Sequence, residues 1–75
     1  VTLEEIIGSV LDIDPSELDD ATSQGSLDGW DSLAHISLIS AVEESFGVEL
    51  STEEMRRGVS VGELRQILAD KGVSA

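Results

Sequence analysis

Apolar residues recur at helical spacing near the start of the chain: Leu3, Ile6, Ile7, Val10 and Leu11, separated by acidic and small residues. Thr2 and Glu5 form a T-x-x-E capping box able to satisfy the first free amides of a helix. The pattern predicts a helix from about Leu3 to Leu11, with Gly8 a tolerated weak point. It ends by Asp14, because Pro15 disfavours helical geometry in the residue before it. Asp14, Pro15, Ser16 and Glu17 then read as a cap, an N1 proline and an N3 acid, so one short helical turn is expected to reach Leu18 or Asp20. Periodicity is absent from Ala21 to Trp30, where Thr22, Ser23, Gly25, Ser26 and Gly29 mark a loop. The whole connection is long for so small a domain, and long loops in compact domains tend to be functional.

Asp31 is a good N-cap for the next helix. Leu33, Ile36, Ile39, Val42 and Phe46 give that helix an expected core stripe, Leu38 widens it, and Gly47 supplies the stop. Ser51 to Glu54 is a second capping box, but Gly58 leaves room for only one or two turns after it. Ser60 to Glu63 is a third, opening a last helix with Val61, Leu64, Ile67 and Leu68 inward and Gly72 at its close. Val48-Glu49-Leu50 has strand-like composition but no partner strand. The expected fold is all-α: a small four-helix bundle of three main helices and one short third helix, with a long loop between helices 1 and 2, filling residues 1–75 as a single domain. Leu3, Ile7, Val10, Leu33, Ile36, Ile39, Val42, Phe46, Val61, Leu64 and Leu68 are expected to line one interior, partly able to admit an attached chain.

Composition narrows the function. The 75 residues hold 16 Asp+Glu against 4 Lys+Arg, a net charge of −12. Such a charge is repelled by a phosphate backbone or an anionic lipid surface, so nucleic acid is not an expected partner. No apolar run approaches the ~20 residues of a membrane span, and no basic-then-apolar leader opens the residues given. A cytoplasmic, monomeric, acidic domain is the expectation. With no Cys, thiolate metal sites and a cysteine nucleophile are excluded. The charge is also unevenly spread: residues 1–55 contain fourteen acids and no Lys or Arg, whereas Arg56, Arg57, Arg65 and Lys71 follow with only Glu63 and Asp70. A one-signed surface of this kind suits a basic partner and speeds encounter with it.

Ser32 carries the candidate chemistry. It follows an irregular loop and stands at the first position of an apolar-striped helix. There its hydroxyl can face solvent, while free backbone amides and the positive helix end favour an attached anion. By position alone the better reading is an ordinary helix-start serine beside an N-cap aspartate.

The wider run decides between these readings. Gly29-Trp30-Asp31-Ser32-Leu33, followed by Ile36, Leu38, Ile39, the Glu43-Glu44 pair, Phe46, Gly47 and Val48, resembles the acyl carrier protein family. The resemblance covers nearly the whole chain, including helix lengths, the long first loop and the short third helix. It implies that Ser32 is converted to a 4′-phosphopantetheine ester by a separate phosphopantetheinyl transferase using coenzyme A. The arm ends in a thiol that holds an acyl or aminoacyl cargo as a thioester and presents it to partner enzymes, so the domain is not itself an enzyme. The absence of Cys fits an imported thiol. Asp31 is implied to help place the magnesium used during transfer, an ion that belongs to the transferase complex rather than to a resident metal site. Leu33 is implied to contact the transferase or partner enzymes, with a core-edge leucine the equal alternative. With His35, Glu43 and Glu44 it is expected to form a partner-binding face, because an enzyme receiving the arm must approach the helix end that bears it.

Departures from the family pattern bear on the partners. Ala34, Ser37 and Ser40 stand where charged or bulkier residues often occur in fatty-acid carriers, and Arg56-Arg57 occupies a usually acidic third helix. These differences favour a discrete carrier of a dedicated pathway, served by an acyl- or aminoacyl-loading ligase and a downstream acyltransferase or synthase, with Arg56 and Arg57 as selectivity residues.

Three other readings compete. Asp28, Asp31, Ser32 and His35 contain the letters of a Ser-His-Asp set, but nothing obvious supplies an oxyanion hole or excludes water, and His35 is expected to face solvent or a partner. Counting from Asp20, an EF-hand-like loop would end at Asp31, yet Thr22 and Gln24 replace the usual acids and Asp31 is shorter than the customary bidentate Glu. The serious rival is an unmodified acidic helical protein-interaction domain. Trp30 has two readings as well, packing on the arm or covering the open end of the bundle.

Overall fold

A computed structural model describes residues 2–27 and 29–73. Four helices follow one another: α1 (Leu3–Leu11), α2 (Ser32–Phe46), α3 (Thr52–Arg57) and α4 (Val61–Asp70), with a 3₁₀ turn at Pro15–Glu17. Each begins where the capping pattern places it. Thr2 and Glu5 close both halves of their box, as do Ser51 and Glu54, while Ser60 accepts the Glu63 amide. Gly47 ends α2 with φ of 65°, the left-handed conformation that glycine adopts without a Cβ penalty. Val48–Leu50 forms no strand; the single β-bridge among the described residues joins Ser23 to Ser60.

Gly8 is buried and has a definite role. A Cβ there would lie 2.6 Å from the Ile13 carbonyl oxygen, because the chain leaving α1 folds back across it. The expected weak point is therefore a required close approach.

The long loop is stapled to the head of α4. Gln24 donates to the Val59 carbonyl at 2.8 Å, Val61 to that of Thr22 at 2.9 Å, and Gly62 to that of Asp20 at 3.1 Å. Arg65 reinforces this seam by donating through Nη2 to Glu4 at 2.6 Å and through Nε to Asp20 at 3.3 Å. The loop thus delivers the chain to the start of α2 along a fixed path.

The core is built from Leu3, Ile6, Ile7 and Leu11 of α1, Leu38, Ile39 and Val42 of α2, Val61, Leu64, Ile67 and Leu68 of α4, and Trp30 and Leu50 from the connections. Val10 and Phe46 pack against it only half-buried. Two expected core residues lie outside: Leu33 is 78% exposed and Ile36 64% exposed. Helical geometry explains the difference. Nine residues separate Leu33 from Val42, two and a half turns, so the two side chains point in opposite directions. Trp30, 1% exposed, is instead part of the core.

Candidate functional site

The site is organised at the head of α2. Asp31, in extended conformation, accepts the Ala34 amide at 2.8 Å and starts the helix. Ser32 is then the first helical residue and is exposed. The amides of Ser32 and Leu33 head the helix with no preceding turn to supply acceptors, so the local field favours an anion on the Ser32 side chain.

A cavity of about 480 Å³ opens beside this serine, between α2 and α3. Ile36, Ile39, Met55 and Val59 give it apolar walls, and Ser32 and His35 line it from the head of α2. Leu33 stands exposed next to the serine. The nucleophile-sized hydroxyl, the favourable helix end and an adjoining apolar recess together fit an arm that carries an anionic phosphodiester near its anchor and an apolar load beyond it.

His35 does not face solvent. It is half-buried, and both of its ring nitrogens are engaged within the chain. The Trp30 indole Nε1–H donates to Nδ1 at 3.0 Å, so Nδ1 must carry a lone pair and the proton resides on Nε2, which donates to the Met55 carbonyl at 2.8 Å. No ring nitrogen is left to deprotonate Ser32, which removes the Ser-His-Asp reading; Asp28 of that set lies outside the described residues.

The remaining site residues divide by burial. Glu43 is half-buried and accepts the Leu50 amide at 2.8 Å, so one carboxylate oxygen holds the chain entering α3. Glu44 is exposed. Arg56 and Arg57 are exposed on α3, and Arg56 has only a 3.9 Å pair with Glu53, also well exposed. Glu54 of the same helix is held below the ordinary carboxylate range, first by the Ser51 amide and then by Lys71, the C-cap of α4, whose Nζ lies 3.0 Å away. Both ends of the EF-hand-like loop are committed elsewhere, Asp20 to Arg65 and Asp31 to Ala34. Among the described residues no three His, Asp or Glu side chains stand close enough to hold a metal ion.

An all-α bundle with a long first loop, an exposed serine heading its second helix and an apolar recess beside it defines a helical carrier domain. The comparisons with known proteins agree. A family model described as "Phosphopantetheine attachment site" matches residues 1–68. The solution structure of a holo acyl carrier protein from Geobacter metallireducens superposes with a TM-score of 0.82 at 32% identity, over 92% of this chain and 79% of that one. The chain belongs to the phosphopantetheine-binding, acyl carrier protein family. It is a non-catalytic carrier whose prosthetic group is a covalently attached 4′-phosphopantetheine, and it works with a phosphopantetheinyl transferase and biosynthetic enzymes. No helix among the described residues is long and apolar enough to cross a membrane.

Proposed function

We propose that Ser32 is the attachment point of the arm and that the head of α2 is the face presented to partner enzymes. The observation that carries this reading is the exposed Ser32 at the mouth of the apolar cavity between α2 and α3. When bound, the group supplies a terminal thiol that holds the cargo as a thioester. The chain's own contribution is to anchor and present it. Asp31 fixes the turn that exposes Ser32 and adds the carboxylate implied in transfer; Leu33 and Ile36 offer an apolar contact beside the serine; Glu44, with the free oxygen of Glu43, offers negative charge further along.

Partner choice follows from the same face. Because Ala34, Ser37 and Ser40 are uncharged, shape and apolar contact around Leu33 govern docking more than in a fatty-acid carrier rich in acids there. Arg56 and Arg57 repel strongly basic partners or pair with an acidic patch on the right one. This favours a discrete carrier of a dedicated acyl or aminoacyl route, loaded by its own ligase and emptied by an acyltransferase or synthase. His35 acts from behind the face, through the contacts of its ring.

Incubation with coenzyme A and a promiscuous phosphopantetheinyl transferase tests the reading. The intact protein gains the mass of one phosphopantetheine, and fragmentation places it on Ser32. A protein that gains no mass under conditions that modify another carrier is an unmodified interaction domain instead. Loading in lysate from the source, followed by mass spectrometry of the thioester, identifies the cargo.

A further inference from the structure

Trp30 and α3 meet the head of α2 through one imidazole, while Met55 packs this short helix against the core. This helix has six residues and none is buried. A helix that short is marginal without tertiary support. Its polar ties are Glu54 to Lys71 on α4, the Leu50 amide to Glu43 just ahead of it, and the Met55 carbonyl to His35. The last tie lies on the cavity side. Val59, which would bond Met55 in a longer helix, donates instead to Arg57 at 2.9 Å, so the Met55 carbonyl is one of the orphan acceptors of a helix end. His35 Nε2–H satisfies it, while Nδ1 is fixed as an acceptor by the fully buried Trp30.

We propose that His35 is a positioning residue for the carrier function: its neutral imidazole, bonded to Trp30 at one nitrogen and to the Met55 carbonyl at the other, sets the spacing of α3 from α2 and so shapes the cavity beside Ser32. The inference concerning cargo rests on the proposed attachment at Ser32; the brace itself does not. The charged groups bordering the same cavity are Glu43 on α2, held by the Leu50 amide, and Arg56 on α3; Asp31, at the head of its own helix, is held by Ala34, and the long loop presents neutral Gln24.

The chain has one His and one Trp, which makes the test direct. In His35→Gln the side-chain amide N–H reaches the Met55 carbonyl in place of Nε2, whereas His35→Phe keeps bulk and loses both bonds. On the unloaded protein, amide exchange at the C-terminal end of α3 is expected to be roughly five- to tenfold faster in His35→Phe and near wild type in His35→Gln. Trp30 emission should differ from wild type in His35→Phe, which leaves the indole N–H without its acceptor. On the loaded protein, hydroxylamine should cleave an octanoyl thioester several-fold faster in His35→Phe. Unchanged α3 exchange, Trp30 emission and thioester cleavage in His35→Phe overturn the proposal. Exchange and emission need no loading, so a failure to modify Ser32 counts against the proposed function and leaves these two readouts to judge His35.

Discussion

The Asp31 carboxylate accepts the Ala34 amide hydrogen at 2.8 Å, and the bond spans Ser32 and Leu33. One side chain therefore starts the helix and supplies the negative charge beside the hydroxyl. The two roles separate on substitution. Asp31→Ala should destabilise the fold by about 1 kcal/mol, the usual worth of an N-cap, whereas Asp31→Asn should stay within a few tenths of wild type. Both should slow phosphopantetheinyl transfer, since neither retains the charge. Urea unfolding and initial transfer rates measure the two effects, and a full transfer rate in Asp31→Asn would reduce Asp31 to a cap.

Exposure on α2 predicts unequal costs for similar side chains. Leu38 is 0% exposed, and Leu38→Ala should cost ~2–5 kcal/mol, enough to threaten so small a domain. Ile36→Ala, on the open face, should remain within about 0.5 kcal/mol. Phe46→Ala should fall between them, because that ring is only half-buried. Denaturant midpoints of the three variants give the order.

Acid should weaken the seam between α1 and α4. The Arg65 hydrogen bond holds the Glu4 carboxyl below its ordinary value of 4.5, and Glu4 reciprocally raises Arg65. The unfolded chain thus binds the Glu4 proton first as pH falls. The stabilisation is fully present above the ordinary value and is lost as pH drops through the lower folded one. With both side chains about one-third exposed, solvent screening limits the pair to roughly 0.5–1 kcal/mol. Glu4→Gln should lose that amount near neutral pH and show a shallower decline in acid, as read from melting temperatures across pH.

Docking should depend on Leu33 more than on any single acid. Leu33→Ala is expected to lower transferase and partner rates at all salt concentrations without changing stability. Glu44→Gln should have a small effect, on the order of 0.2–1 kcal/mol, that fades as salt rises. Glu43→Gln also weakens the bond to Leu50, so unfolding must be measured beside its rates. A silent Leu33→Ala together with loss of loading from folded variants far from Ser32 contradicts the proposed face.

Helix starts were legible because Thr2, Asp31, Ser51 and Ser60 each bring a side-chain acceptor to an apolar-periodic run, and the capping bonds form locally. The place of Ser32 as first helical residue was legible for the same reason, whereas its candidate chemistry needed the wider run from Gly29 to Val48. The face of α2 was harder. Its apolar residues satisfy helical spacing on two overlapping faces, and only the docking of Leu38 and Val42 against the rest of the core selects one. A signal for His35 was nonetheless present: His35, Leu38, Ile39 and Val42 stand at i, i+3, i+4 and i+7, the spacing of an inward stripe. Glu43's bond to Leu50 and Arg65's to Glu4 and Asp20 depend on how separate segments pack, and no local pattern announces them.

The central claim is that one hydroxyl at the head of α2 carries the arm. Intact-mass measurement of wild type and Ser32→Ala, after incubation with coenzyme A and a phosphopantetheinyl transferase, tests it most directly. Wild type should gain a single phosphopantetheine, and Ser32→Ala should gain none while unfolding at the same denaturant concentration as wild type. A Ser32→Ala protein that still acquires the group contradicts the account.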